Sequence, residues 1–287
     1  MQEIIPEWMQ SSCVDDAAFE QAYAASGAWE RALIKTAIAG VYTWLQPQGT
    51  LRRITQSETP QGLWIHALTC PRPWAAVHIP AACSGPAQIV GAVLPVLAAG
   101  VWPVIVVLEE DADRRTALTA LELSGVETVC ILPGTEMQAS VQAWLGLAGP
   151  GPGLVVQIEG GIPACQECSC GEGHMLLTLP RPRRAGVWRS GQEIDLQALA
   201  FAHPGLEFSL WSGQTLDLPP GWEQDNGSWT EFLGRSWDAV WVPKARVQEA
   251  LAESRLAFGP GQESLWIWPW FHSGLAGYTR LGMRGPC

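Results

Sequence analysis

With 287 residues, 47% of them hydrophobic, the chain can bury a sizeable core, and its length suits one large or two small globular domains. Seventeen basic against 28 acidic residues give a net charge of −11, which opposes phosphate backbones and anionic lipid and so excludes nucleic acid and membrane surfaces as expected partners. No apolar run of about 18 residues is free of glycine and proline breaks, and the N-terminus lacks a basic start and a cleavage pattern, so a cytoplasmic protein is expected.

In chain order, Asp15 to Ser26 and Trp29 to Gln46 read as helices. In the second, Trp29, Leu33, Ala37, Val41 and Trp44 recur at helical spacing and define one apolar face. Pro47 to Gly49 ends it. The stretch from Arg72 to Gly134 then alternates strand and helix. Trp74 to Ile79 is a short apolar strand stopped by Pro80. Ser84-Gly-Pro86 supplies an N-cap and a first-turn proline for a helix that runs to Gly100. Trp102 to Leu108 is a strand apolar on both faces. Asp111 to Ser124 is a helix stopped by Gly125, and Glu127 to Leu132 is a third strand. Strands joined by helices of this length pair in parallel with right-handed crossovers, a Rossmann-like α/β unit.

Gln138 to Leu147 reads as a further helix, and Gly149-Pro-Gly-Pro-Gly153 as a linker. Leu154 to Ile158 and Met175 to Leu179 read as strands around the Cys165 to His174 loop. Beyond them come a helix at Glu193 to Phe201, strands at Leu206 to Trp211 and Asp238 to Val242, a helix at Lys244 to Ser254 and a strand at Ser264 to Trp268. Arg181, Arg183 and Arg184, set among prolines, read as a solvated loop. The sixteen tryptophans, spread along the chain, read mostly as core filler. Eight scattered cysteines argue for reduced thiols or a metal site rather than a disulfide framework.

One oddity is Pro95 in the middle of a helix, where it costs about 3 kcal/mol. Val77-His-Ile-Pro-Ala-Ala82, Ile89-Val-Gly-Ala-Val-Leu-Pro-Val-Leu-Ala-Ala-Gly-Val101 and Ser124-Gly-Val-Glu-Thr-Val-Cys-Ile-Leu-Pro-Gly134 follow one another in the order and spacing of YVPGG, VLMNAVPAKVAGV and AGVDEIYRIGGAQA. By these runs the chain resembles the histidinol dehydrogenases. The resemblance implies two Rossmann-like parallel-sheet units, as in histidinol and aldehyde dehydrogenases. Residues 1–76 and 155–287 would form one unit with a helical N-terminus, and 77–154 an inserted unit.

It also implies chemistry, from which the sequence departs. The family's acid/base pair lies in APEHLEL, and the matching Ala202-His-Pro-Gly-Leu-Glu-Phe208 puts Pro204 and Gly205 in its place. His203 is a neighbouring catalytic candidate, although a lone histidine at such a corner is more often a structural hydrogen-bonder. Cys165 and Cys168 fall at two of the family's zinc-ligand positions. With Cys170, His174 and Asp238, which follows a Phe-Leu-Gly run, they could hold zinc or an iron-sulfur centre, or the loop is a cysteine-rich surface turn. NAD would lie against Pro80, Ala81, Ala82, Ser84, Gly134 and Thr135, where alanines replace glycines and Glu136 adds a repelling charge. Cys83 and Cys130 match the aldehyde dehydrogenase nucleophile only in residue type and read as buried small hydrophobes.

Two functions are expected from these residues. One is a non-catalytic descendant that binds a small molecule or nucleotide, or acts in assembly, with a homodimer as its expected oligomer. The other is an NAD-dependent, metal-assisted oxidoreductase on an alcohol or aldehyde.

Overall fold

The computed structural model describes residues 4–46, 52–61, 63–146, 151–159, 173–191, 193–213 and 217–284. The chain opens with three helices, α1 (Glu7–Gln10), α2 (Asp16–Ala25) and α3 (Ala28–Leu45). Asp15 caps α2 by accepting from the Ala18 amide. Two strands follow, β1 (Arg53–Glu58) and β2 (Trp64–Pro71). The expected alternation comes next: β3 (Ala75–Ile79), α4 (Pro86–Ala98), β4 (Val104–Glu109), α5 (Arg114–Ser124), β5 (Thr128–Leu132), α6 (Gly134–Leu145), β6 (Leu154–Ile158) and β7 (Met175–Leu179). A second run contains β8 (Arg184–Arg189), α7 (Leu196–Ala202), β9 (Glu207–Ser212), β10 (Glu223–Asp225), α8 (Trp229–Leu233), β11 (Ala239–Trp241), α9 (Val247–Glu253) and β12 (Ala257–Phe258). The last described strand is β13 (Gly277–Arg284).

Three sheets result. The first, ordered β5-β4-β3-β6-β7, and the second, ordered β10-β9-β8-β11-β12, are parallel throughout. The third, β1-β2-β13, is antiparallel. The fold class is thus two parallel-sheet α/β units. Their division differs from the expected inserted unit, because β6 and β7 pair beside β3 rather than in the second sheet. The sheets part at Pro180–Arg183, and β3 lies at the centre of the first, where strand order reverses.

α4 is the axis of the molecule. From Pro86 to Val96 every residue is buried, as befits a helix apolar all round. Pro95 lies inside it, as the sequence suggests. A Cβ on Gly91 would come within 2.7 Å of the Trp266 carbonyl oxygen, so glycine here lets the 264–268 segment press against the helix backbone. That segment is irregular rather than the expected strand. One continuous core joins residues of α3, α4, both parallel sheets and the Leu265–Trp268 stretch.

A second cluster on the other face of the first sheet holds Met9, Trp74, Ile105, Cys130 and Trp144. A third gathers Trp211, Phe232 and Trp237, so buried indoles do fill cores as read from the sequence. Arg184 begins β8 instead of standing in a loop. No helix among the described residues is long and apolar enough to cross a membrane.

Candidate functional site

In an open parallel sheet, ligands bind beyond the carboxyl ends of the strands, where strand order reverses. Here strand order reverses between β3 and β6, and the turn after β3 stands at that place, with the ends of β4 and β5 beside it. Residues 81–83 form a single 3-10 turn, and the Ser84 hydroxyl donates to the Ala81 carbonyl at 2.7 Å. The Ala81 amide, which could meet an anion, donates to Glu109 Oε2 at 2.7 Å. The other oxygen of this carboxylate lies against Gly134, where α6 begins, and leaves no room for a Cβ there. Glu109, the last residue of β4, therefore puts a fixed negative charge between the two loops expected to hold NAD.

The N-terminus of α4 is closed by the second unit. A Cβ on Gly85 would lie 2.7 Å from Pro204 Cδ and 2.9 Å from the Ala202 carbonyl oxygen. One on Gly205 would collide with the Ala82 carbonyl. The segment expected to replace the acid/base pair is thus packed directly onto Ala82 and Gly85. Of the residues expected to hold NAD, Ala81 and Gly134 are brought together by Glu109, and Thr135 is exposed at the start of α6. A pyrophosphate does not fit there, since its helix N-terminus is covered and a carboxylate holds the loop amide.

His203 is fully buried at the end of α7. Its Nδ1 accepts from Gln88 Nε2 at 2.9 Å, so its Nε2–H donates to the Glu263 carbonyl at 2.9 Å. Burial pushes its pKa down to about 4. The ring is a neutral tie between α4, α7 and the loop before Trp266, with both nitrogens engaged and no path for proton exchange with a substrate. His78, in the middle of β3, is likewise pushed down to about 3 by burial. Cys83 is buried and raised to about 11 by desolvation, against the pull of the Arg181 guanidinium, so it stays a thiol at neutral pH.

The metal candidates separate. Cys165, Cys168 and Cys170 lie outside the described residues. His174 is buried at the start of β7, where its Nδ1 accepts from the Gly153 amide at 2.9 Å and its ring packs on Trp74. Asp238 stands beyond the other end of that strand, roughly 16 Å of extended chain away. Its Oδ2 accepts from the Arg183 and Arg184 amides at 2.7 and 3.0 Å, which ties β8 to the segment entering β11. The two do not meet. Among the described residues no three metal-ligating side chains cluster.

A cavity of about 350 Å³ opens beside this tie, at the carboxyl end of β7. Its walls are Leu256, Trp266, Trp268 and Trp270, with Arg181 and Arg255 as its cations. Trp268 is fixed by its indole N–H, which donates to the Pro180 carbonyl at 3.0 Å. Among the described residues, Arg181 Nε and Trp266 Nε1 are buried donors without a hydrogen-bond partner. Asp238, the acidic member of the lining, already spends one oxygen on the backbone. Apolar walls with two arginines suit an organic anion. Sequence reading missed both the cavity and Glu109. A carboxylate on the last residue of the strand following the Pro80 turn was the available signal for the latter.

No family model matches the chain, and no curated protein matches it in sequence. Solved structures do match it in shape. A histidinol dehydrogenase from Elizabethkingia anophelis aligns over 97% of this chain and 78% of its own, with TM-score 0.60 and 10% identity. The chain shares the fold of that enzyme. An oxidoreductase from Marinobacter aquaeolei aligns over 94% of this chain and 84% of its own, with TM-score 0.50 and 10% identity. A NAD-dependent benzaldehyde dehydrogenase from Corynebacterium glutamicum covers 95% and 88% at TM-score 0.48 and 13% identity, a looser likeness.

Proposed function

We propose that the chain is a divergent, non-catalytic relative of the histidinol dehydrogenases. In this reading it binds a small carboxylic acid with an apolar body in the cavity beside Arg181. The observation that carries this reading is a contrast. The crevice that would take NAD is closed by Glu109 and by Pro204-Gly205, while the cavity offers the cationic side chains of Arg181 and Arg255 between indole walls. A carboxylate would pair with the guanidinium groups of Arg181 and Arg255, and its hydrocarbon part would lie on Trp268 and Leu256. The Pro95 helix and the shared fold support the descent. Pro204 and Gly205 supply no proton-transfer group, and His203 is committed on both nitrogens.

Calorimetry with hexanoate and phenylacetate, against hexanamide and phenylacetamide, tests the ligand class. The acids should bind and the amides should not, and Arg181→Met should weaken acid binding at least about tenfold, the value of one charged hydrogen bond. Equal binding of acids and amides, or an unaffected Arg181→Met variant, would sink the ligand assignment. Incubation with histidinol and NAD should give no NADH. Histidinol-dependent NADH formation would instead refute the non-catalytic reading and favour the metal-assisted oxidoreductase.

A further inference from the structure

At the outer edge of the first sheet, a short piece of the N-terminal segment pairs with β5. Cys13 and Cys130 face each other in an isolated antiparallel bridge. The flanking bonds run from the Val14 amide to the Val129 carbonyl at 2.8 Å and from the Ile131 amide to the Ser12 carbonyl at 2.9 Å. The two cysteines are therefore a non-hydrogen-bonded pair, the register that brings Cα atoms to about 4.5 Å and side chains closest together. Disulfides span Cα separations of about 4.4 to 6.8 Å, so the backbone needs no rearrangement to accept one. Both thiols point to the same side, with Sγ atoms 2.7 Å apart. Cys130 is fully buried, whereas Cys13 is partly exposed.

We propose that Cys13 and Cys130 form a reversible disulfide that latches the N-terminal segment onto the first sheet. The segment is worth latching. Ile4 and Met9 are buried in the cluster with Cys130, Met137 and Trp144, so residues 4–13 form the lid of that cluster. At this point the two backbone bonds of the bridge are what fasten it to β5.

Entry is through the exposed partner. The Cys13 thiolate attacks one sulfur of a small-molecule disulfide, forming a mixed disulfide and releasing one thiolate. Cys130 then attacks the Cys13 sulfur and releases the second. Two protein thiols are oxidised, the small disulfide is reduced to two thiols, and the two cysteine protons end on those products. Burial holds the Cys130 thiol protonated, which makes Cys13 the first nucleophile.

The test oxidises the full chain with glutathione disulfide, blocks remaining thiols and maps peptides by mass. The expected product has lost two hydrogens and contains one linked pair carrying Cys13 and Cys130. The closed loop spans 117 positions, so its melting temperature should exceed that of the reduced chain by on the order of 10 °C. The Cys13→Ser variant should show no such rise. Cys13 and Cys130 both recovered blocked, either one linked elsewhere, or Cys13 held as a glutathione adduct would overturn the proposal. A linked pair with unchanged melting temperature, or an equal rise in Cys13→Ser, would overturn the latch. The map is read on the unsubstituted chain, so its outcome does not depend on how the variant folds.

Discussion

Acidification from pH 6.5 to pH 5 should destabilise this protein through two histidines that must stay neutral. His78 and His203 are buried and held near pKa 3 and 4, below the value of about 6.5 for an unfolded chain. Their folded pKa values are depressed, so their stabilising contribution is complete above about pH 6.5. It falls as the pH drops, because only the unfolded state takes up protons there. Each group's slope rises from about half of 1.4 kcal/mol per pH unit at pH 6.5 toward that full value below it, so the pair should remove about 3 kcal/mol across this window.

Carboxylates held below their ordinary range, such as Glu30 beside Arg115, add their own loss only at lower pH, which leaves the window to the histidines. The assay is urea unfolding at half-unit pH steps, in the parent and in His203→Gln. A glutamine stays neutral and can accept from Gln88 while donating to the Glu263 carbonyl, so the variant should lose about half of the pH dependence whatever its absolute stability. Identical slopes in parent and variant would refute the argument that His203 is buried as the neutral ring.

Gly205→Ala should destabilise by about 1–3 kcal/mol, read as a lower melting temperature, because its Cβ meets the Ala82 carbonyl, a backbone atom that cannot swing away. Asp238→Ala should cost a similar amount, about 1–3 kcal/mol in urea unfolding, since it leaves the Arg183 and Arg184 amides without their acceptor. Bound metal measured by elemental analysis should be unchanged in that variant.

The β3 to β5 unit was legible because its signals are local. Pro80, Gly100 and Gly125 end elements at the places where they stand, and Gly100 and Gly125 take the left-handed conformation that their positions call for. β8 was hidden because Arg184-Ala-Gly-Val-Trp-Arg189 is short, begins and ends on arginine, and follows prolines. Its centre is buried only because β9 and β11 flank it. The Ser264–Trp268 run carries strand-like residues, yet its Trp266 carbonyl is pressed against Gly91 and the segment is drawn into core contacts instead of a ladder. The site was legible as a place but not as a state. His203 is decided by Gln88 and Glu263, which stand 115 and 60 positions away, and no local pattern announces such partners.

The antiparallel sheet sets an order of events during synthesis. β2 needs β13 along its whole length, from Pro71 against Gly277 to Trp64 against Arg284. At about 5–20 residues per second, the roughly 200 residues between them take on the order of 10–40 s to emerge. The first parallel sheet is complete once Leu179 has left the ribosome, so it can settle early. Through that interval β2 has only β1 beside it, and a two-stranded hairpin is marginal in water. A translating chain therefore carries an open strand edge longest at β2, and holdase chaperones that mask such edges should be most needed there.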